Sequence, residues 1–213
     1  MSSCKLFPLE FDNFICEPYD GSHMVYLSRF DTLELIDDKG KVYTAKHLEE
    51  SIRDSGRLDD AHLLKTYLVY RLTTDKDPVG TQKELACVFC LRTSSMHFEN
   101  ELRENFFHSI IPSLELVYLA VDKKCRDKHP ELKGIGAASF YAFVVPIVQG
   151  VSRLCGCKNL FLFAINNAKL VKYYMDQMNF QELPSDQEEF IVNNLKTDDN
   201  EDCKFLFQPI ECM

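Results

Sequence analysis

A pair of glycines, Gly134-Ile135-Gly136, stands between a charged segment and an apolar run that has the density of a helix. Glycine lets a ligand approach the backbone closely, because it has no Cβ atom. The first amide groups of a helix lack partners within the helix, and together with the helix dipole they attract anions. These residues therefore predict an anion site at the start of a helix, of the kind that holds a pyrophosphate.

Two common phosphate-binding motifs do not fit this segment. No Gly-Lys-Ser/Thr sequence follows the glycines, which excludes a Walker P-loop. The third glycine and the ribose-binding acid of a dinucleotide-binding fingerprint are also missing. Because two glycines also occur in ordinary tight turns, a turn without a ligand stays open as an alternative. The surrounding elements must decide between these interpretations.

The surrounding sequence predicts strands that alternate with helices. An apolar run at 114–121 with a single carboxylate has the pattern of a central strand buried on both faces, and so does the run at 159–165. Between them a helix is predicted from Ala137, and Pro146 is expected to kink or shorten it. The other predicted elements are strands at 67–72, 85–93, 189–193 and 204–210, helices at 45–55 and 168–178, and turns at 74–80 and 196–203. This order predicts an α/β fold with a mixed sheet.

Two segments of the chain resemble the GNAT superfamily of N-acetyltransferases. The strand and the glycine loop, Glu115-Leu-Val-Tyr-Leu-Ala-Val-Asp122 and Lys133-Gly-Ile-Gly-Ala-Ala138, resemble motif A of that family. The next strand and helix resemble motif B, through Phe161-Leu-Phe-Ala-Ile-Asn-Asn167, Tyr173-Tyr174 and Asn179-Phe180. Two motifs in the right order on the right elements are more specific than either motif alone.

The resemblance covers residues 67–210 and implies both a fold and a domain organisation. The implied fold is a GNAT-like mixed, mostly antiparallel sheet with helices on both faces and a splayed central strand pair, 114–121 and 160–165. Residues 1–213 then form a single acyltransferase domain. Its helical N-terminal part, 1–66, shapes the acceptor site, and 67–213 is the coenzyme-binding core.

The resemblance also implies an activity and the residues that carry it. The family transfers an acetyl group from acetyl-coenzyme A to a primary amine by direct attack in a ternary complex, without a metal. Glu115 stands where histone-acetylating members have their general base, and Tyr174, with Tyr173 as its substitute, where the family protonates the leaving thiolate. A paired strand carboxylate and a core tyrosine are the alternatives for these two residues. The implied coenzyme-binding residues are Leu119, Ala120 and Val121 for the pantetheine arm, Lys133, Gly134, Ile135, Gly136, Ala137 and Ala138 for the pyrophosphate, and Asn166 near the thiol.

The glycine loop departs from the family pattern in its charges. Glu131 stands where the family has Gln or Arg, and a carboxylate beside a pyrophosphate is unfavourable unless it turns away. The segment 122–133 is also several residues longer than usual. We therefore expect Arg126 or Lys128 to fold back and supply positive charge.

The end of motif B departs from the pattern as well. Asn179 replaces the glycine before Phe180, and asparagine also tolerates a left-handed backbone. Tyr174 lies one residue too far from Phe180, which predicts a bulge or a shifted helix end. These departures favour an alternative function, a non-catalytic GNAT-like module that binds acyl-coenzyme A or another protein.

The composition limits the partners and the compartment. Apolar residues make up 46% of the 213 residues and charged residues 27%, as in an ordinary globular domain. The net charge of −9 argues against nucleic-acid binding and favours a small-molecule or protein amine as acceptor. Leu119-Ala-Val-Asp-Lys-Lys also resembles toxin–antitoxin acetyltransferases that modify aminoacyl-tRNA, a narrower hypothesis that the acidic balance makes secondary. A homodimer stays open.

Neither an export signal nor an apolar run of about 20 residues is visible, so the sequence predicts a cytoplasmic protein without a membrane partner. The nine cysteines are therefore expected to be reduced and mostly buried. Cys87 and Cys90 lie in a strand, and Cys155 and Cys157 are too close for a zinc site. Cys125 lies in the basic loop, where the pKa of a thiol can be lowered. No His/Asn signature places a base beside it.

Overall fold

The computed structural model describes residues 13–31, 35–43, 45–73, 82–102, 105–184, 187–188, 191, 195 and 202–213. Within them the strands are β1 (Phe14–Pro18), β2 (Leu35–Ile36), β3 (Val42–Tyr43), β4 (Lys65–Thr73), β5 (Gln82–Leu102), β6 (Asn105–Val121), β7 (Asn159–Ile165) and β8 (Cys203–Pro209). The α-helices are α1 (Met24–Leu27), α2 (Ala45–Asp60), α3 (Lys123–Lys128), α4 (Ile135–Ser139), α5 (Val145–Cys155) and α6 (Ala168–Met178).

Six of these strands form one mixed sheet in the order β1-β4-β5-β6-β7-β8, and β2 and β3 form a separate hairpin. Strands β6 and β7 are parallel, whereas β1 pairs with β4, and β7 with β8, in the antiparallel sense. The ladder between β6 and β7 runs only from Ser113–Asn159 to Glu115–Phe161, although both strands continue. This early end is the predicted splay, and the predicted mixed, mostly antiparallel α/β fold is confirmed.

The first compact unit of the chain consists of Met1–Leu33, Ala45–Cys90 and Tyr118–Val144. Strand β4 and the first part of β5 supply its core. Consecutive residues of a strand point to opposite faces, so a run in which every residue is buried must be covered on both faces. The fully buried residues of these runs are Leu68, Val69, Tyr70, Ala86, Cys87, Val88, Phe89 and Cys90.

The second compact unit consists of Glu34–Thr44, Leu91–Val117 and Val145–Met213. Strands β7 and β8 pair over their whole length, from Asn159–Pro209 to Ile165–Cys203. The rings of Phe161, Phe163 and Phe205 lie with their centroids 5.4 to 6.1 Å apart, a separation at which aromatic pairs attract each other. An aromatic cluster therefore holds these two strands together.

The strand predicted at 189–193 is wrong at Ile191. Of its residues the structure describes only Ile191, which is helical, as are Gln187, Glu188 and Leu195. Residues four apart lie on one face of a helix, and Ile191 and Leu195 both pack into the cluster of Met96, Phe161, Leu183 and Phe205. Packing against this cluster, rather than the β-branched character of Ile191, accounts for its helical conformation.

The N-terminal part, predicted as helical over 1–66, also contains strands. Strand β1 pairs with β4, and β2 and β3 form the hairpin. The predicted strands at 85–93 and 114–121 are parts of the longer β5 and β6. The predicted turn at 74–80 and most of the one at 196–203 lie outside the described residues.

Pro146 interrupts a long helix in the way that its chemistry requires. The segment Phe140–Val144, directly before α5, is a π-helix. Proline lacks the N–H group that would bond to the carbonyl of the residue four positions earlier, and wide turns accommodate such a missing bond. The predicted kink is thus a wide turn, after which the helix continues to Cys155.

The sequence predicts no apolar run of about 20 residues, but the described part of the chain contains one apolar helix of that length. Ile135–Cys155 is 21 residues long with a mean hydropathy of 1.6, so by length and composition alone it could cross a membrane. Half of this stretch is buried inside the protein. The core helix of a soluble protein passes the same test, so this helix by itself does not indicate a membrane protein.

Candidate functional site

The end of β6 in the first unit leads into the charged segment. Leu119, Ala120 and Val121 are partly exposed, and they lie beyond Glu115, where the ladder to β7 ends. Asp122 follows, and its buried carboxylate caps α3 by accepting from the Cys125 amide at 3.0 Å. Burial raises the pKa of Asp122, although hydrogen bonds from backbone amides oppose this effect.

The charged segment 122–133 is not a loop, because it folds into α3 and a 3-10 turn, Pro130–Leu132. Arg126 pairs with Asp127 at 3.1 Å, and Lys128 pairs with Glu84 at 3.0 Å. Both cations expected to fold back are therefore already held by carboxylates. Lys133, by contrast, is exposed and takes part in no ion pair of the described residues.

Glu131, the unfavourable carboxylate, is held by a histidine. Its Oε1 atom lies 3.2 Å from Nδ1 of His129, whose Nε2 atom lies 2.8 Å from Oε2 of Glu84. Arg71 contacts the same imidazole at 2.8 Å. Burial acts to raise the pKa of Glu84, but hydrogen bonds from Lys128 and His129 outweigh it and lower that pKa. Glu131 therefore has a partner within the protein, His129. A carboxylate next to an anion site needs such a partner, because it would otherwise repel the anion.

Gly134 gives α4 an unusual start. Its φ of 93° and ψ of 5° are left-handed, a conformation that costs other residues roughly 1–2 kcal/mol. No side chain caps this helix, and the Ala138 amide donates to the Gly134 carbonyl at 3.1 Å. The amides of Ile135 and Gly136 precede that bond and point out of the helix start. Ile135, Gly136, Ala137 and Ala138 are all buried.

Glu115 in the second unit is buried, with 6% of its surface exposed. Its Oε2 atom accepts from Nε of Arg92 at 3.0 Å and from Nη2 of Arg92 at 2.7 Å. The carboxylate is therefore paired with a charged side chain. Sequence reasoning missed Arg92. A signal for this pair was available, because Arg92 is the one cation in an apolar run of β5 and Glu115 is the one carboxylate in an apolar run of β6.

Tyr174 lies on α6 between two aromatic neighbours. Its ring centroid is 6.1 Å from that of Tyr173 and 6.0 Å from that of Phe180. Burial, together with the nearby Tyr173, raises the pKa of Tyr174 to about 12. The phenol is therefore protonated at neutral pH, as a hydrogen-bond donor must be.

The end of α6 accommodates the extra residue between Tyr174 and Phe180. Asn179 is left-handed, with a φ of 59°, and its amide donates to the Tyr174 carbonyl. The Phe180 amide donates to the same carbonyl at 3.3 Å. A bond from residue 179 to 174 spans five residues, as in a π-turn, so the last turn is wider than an α-turn. This wide turn lies between Tyr174 and Phe180, where the sequence predicts a bulge or a shifted helix end.

The start of α6 is held by the β2–β3 hairpin. The Asn167 side chain accepts from the amides of Lys169 and Leu170, both at 3.1 Å, and donates to the Ile36 carbonyl. The Asp38 amide donates to the Asn166 carbonyl at 2.9 Å, and the Asp38 carboxylate accepts from the Ala168 amide at 3.0 Å. No local pattern of residues indicates this hairpin contact.

The predicted site residues fall into the two units. Leu119, Ala120, Val121 and the stretch Lys133 to Ala138 belong to the first unit, and Glu115, Asn166 and Tyr174 belong to the second.

Cys125 does not have the properties of a nucleophile. It is buried, and burial, together with Glu84 and Asp122, raises the pKa of its thiol to about 12. The expectation of a lowered thiol pKa is therefore wrong, because the thiol is enclosed and its nearest charges include two carboxylates. The eight cysteines in the described part of the chain form no disulfide, and none of the described His, Cys, Asp and Glu residues form a group of three that could hold a metal.

The fold is similar to those of solved structures of the toxins AtaT and KacT. A tyrosine-to-phenylalanine mutant of the toxin AtaT matches with a TM-score of 0.61 and 19% identity, over 94% of this chain and 91% of that chain. A corresponding mutant of KacT has a TM-score of 0.60 and 19% identity, over 94% and 96%. AtaTR bound with acetyl-coenzyme A has a TM-score of 0.60 and 20% identity, over 94% and 96%. No family model and no curated protein matches the sequence.

Proteins of this fold bind nucleic acids, which corrects the prediction drawn from net charge. AtaT is also solved in complex with acetyl-methionyl-tRNA, and the AtaT–AtaR and KacTA complexes with DNA. The prediction of a small-molecule or protein acceptor without nucleic acid is therefore wrong. Net charge is a sum over the whole surface and does not report where cations lie. The chain has the GNAT-like mixed α/β fold of the AtaT and KacT toxins.

Proposed function

We propose that the protein is an acetyltransferase that moves the acetyl group of acetyl-coenzyme A to the amino group of an aminoacyl-tRNA. The observation that carries this proposal is the start of α4, where a left-handed Gly134 and no capping side chain leave backbone amides for an anion. The GNAT-like fold supports it, because AtaTR of that fold binds acetyl-coenzyme A.

The coenzyme would be held mainly by backbone groups. The pyrophosphate accepts hydrogen bonds from amides between Lys133 and Ala138, and the exposed Lys133 ammonium supplies positive charge. The pantetheine arm pairs with the backbone of Leu119, Ala120 and Val121, which lie beyond the end of the ladder to β7. Asn166 contacts the coenzyme near its thiol.

Tyr174 would stabilise the leaving thiolate by a hydrogen bond. An ordinary thiol has a pKa of about 8.5, so full proton transfer from a phenol with a pKa of about 12 is uphill by roughly 5 kcal/mol. A hydrogen bond to the developing negative charge needs no such transfer and contributes about 1.5–3 kcal/mol. We therefore assign Tyr174 the role of a hydrogen-bond donor, and water supplies the proton afterwards.

Glu115 is the candidate base, and Arg92 positions it. An amine must lose its proton to attack the thioester, and a carboxylate within reach, directly or through one water, can accept that proton. Both Arg92 contacts go to Oε2, so the pair fixes the orientation of the carboxylate. Glu115→Gln is expected to lower kcat without changing the affinity for the coenzyme.

The acceptor is proposed from a similar structure and from the chemistry of amines. AtaT is solved with acetyl-methionyl-tRNA, the product of acetylating an amino group on a charged tRNA. The α-amino group of an aminoacyl ester is less basic than a lysine amine, so more of it is neutral at pH 7. Binding of tRNA depends on local cations that contact phosphates, so we expect it to weaken as the salt concentration rises.

A thermal-shift titration separates this proposal from its alternatives. A ligand that binds only the folded chain stabilises it by about 2.7 kcal/mol at a hundredfold excess over its dissociation constant. We expect stabilisation by coenzyme A and acetyl-coenzyme A but not by ATP. Binding of both coenzyme forms without acetylation of any aminoacyl-tRNA would identify a non-catalytic module. Binding of neither form would contradict the proposal, because the proposed reaction requires acetyl-coenzyme A.

A further inference from the structure

A depression of about 730 Å³ in the second unit is not used by the proposed reaction. The early part of β6, the end of α5 and the ends of β7 and β8 surround it. Backbone bonds fix its walls, since the Lys158 amide donates to the Pro112 carbonyl and the Ile210 amide to the Lys158 carbonyl, both at 2.8 Å. Part of its lining is apolar, through Ile110, Ile111, Pro112, Pro209 and Ile210.

Two cations line this depression without carboxylate partners. Arg153 and Lys158 are both exposed, and neither takes part in an ion pair of the described residues. Other lysines of the chain, such as Lys65 and Lys128, are paired with carboxylates. The one carboxylate of the lining is Glu211. An acidic chain thus carries a local positive surface here.

Large apolar side chains are exposed at the same place. Ile110, in the lining, is 63% exposed, and Leu154, next to Arg153 on α5, is 87% exposed. Exposed apolar groups that are bordered by polar residues mark protein interaction sites. The depression therefore combines apolar contact area with two unpaired cations.

We propose that this depression docks an acidic peptide segment of a partner protein, with apolar side chains against Ile110 and carboxylates on Arg153 and Lys158. Charge complementarity favours this occupant. In a symmetric dimer through this face, Arg153 and Lys158 would lie near their own copies, which like charges disfavour. Nucleic-acid binding depends on many phosphate contacts, and two cations supply few of them.

The test is selection from a phage-displayed library of random peptides on the full chain, followed by affinity measurement with the enriched peptides. We expect these to combine Asp or Glu with apolar residues. The double reversal Arg153→Glu with Lys158→Glu should weaken binding about tenfold or more. Lys169→Glu with Lys172→Glu, two exposed lysines of α6, is the matched control and should leave binding unchanged.

A variant that binds the peptide more tightly distinguishes an effect on docking from misfolding. Glu211→Gln removes the one lining carboxylate and should tighten peptide binding, which a damaged fold cannot do. Melting temperatures of all variants verify folding. The proposal is overturned if no acidic peptide is enriched or if enriched peptides ignore the reversal. It is also overturned if the chain binds single-stranded RNA and the double reversal abolishes that binding. A double reversal whose only effect is to dissociate a dimer overturns it as well.

Discussion

Helices α4 and α6 begin in opposite ways. At α6 the Asn167 side chain and the Asp38 carboxylate satisfy the first amides, so the protein itself fills the helix start. At α4 the N-cap residue is a left-handed Gly134, and no side chain caps the helix. A filled start makes a helix stable and fixes its side chains, whereas an unfilled start leaves amides for a ligand. We therefore assign backbone binding to α4 and side-chain chemistry to α6.

The largest effect is expected on α6, at the side chain assigned to catalysis. Tyr174→Phe removes one hydrogen bond to the leaving thiolate and should lower kcat about 10- to 100-fold. The affinity for acetyl-coenzyme A should stay unchanged, as steady-state kinetics and calorimetry can measure. Tyr173→Phe is the matched control, and a loss of kcat there instead would transfer the role to Tyr173.

The next effect is expected at the backbone of α4. Gly134→Val places a β-branched residue at a φ of 93° and should weaken coenzyme A binding about tenfold or more, by calorimetry. Gly134→Asn is the control, because asparagine tolerates the left-handed region, and it should retain most of the affinity. Equal affinity in both variants and the parent would show that this turn does not hold the coenzyme.

A smaller effect is expected at the filled start of α6. Asn167→Ala removes the cap of the helix and should lower the free energy of unfolding by about 1 kcal/mol, measured in urea. Coenzyme A affinity, measured at a temperature below the onset of melting, should not change. A large loss of coenzyme binding would mean that the starts of both helices serve the ligand, and the contrast between them would fail.

The smallest effect is expected at the exposed cation beside Gly134. Lys133→Gln should weaken coenzyme A binding a few-fold, because an exposed ion pair contributes about 0.2–1 kcal/mol. The loss should shrink in high salt, since salt screens exposed charges. Lys124→Gln, on α3, serves as the control. Its ammonium bonds to the Arg29 carbonyl, and we expect no effect on the coenzyme.

Local pattern predicted some elements well and others badly. Strand β7 and helix α6 match their predicted bounds, because each has a clear apolar period between strong end signals. Strands β5 and β6 are longer than predicted, since polar residues such as Ser94 and Ser95 conceal the continuation of β5. Ile191 lies in an apolar, strand-like run but is helical, because its packing partners are distant in sequence.

The candidate site was predictable to the extent that it depends on backbone geometry. The left-handed Gly134 follows from its sequence context, and so does the cap by Asn167. The contacts of Glu115 with Arg92, and of Asp38 with Ala168, join residues far apart in the chain, and no local pattern contains them. Net charge misled the prediction of partners, because a sum over the surface carries no positions.

The central claim is acetyl transfer, and one assay tests it most directly. Labelled acetyl-coenzyme A is incubated with the chain and a mixture of aminoacyl-tRNAs, with deacylated tRNA and the Tyr174→Phe variant as controls. We expect label on the aminoacyl group, released when the ester is hydrolysed, with none on deacylated tRNA and far less with the variant. Coenzyme binding without any label on aminoacyl-tRNA would contradict it.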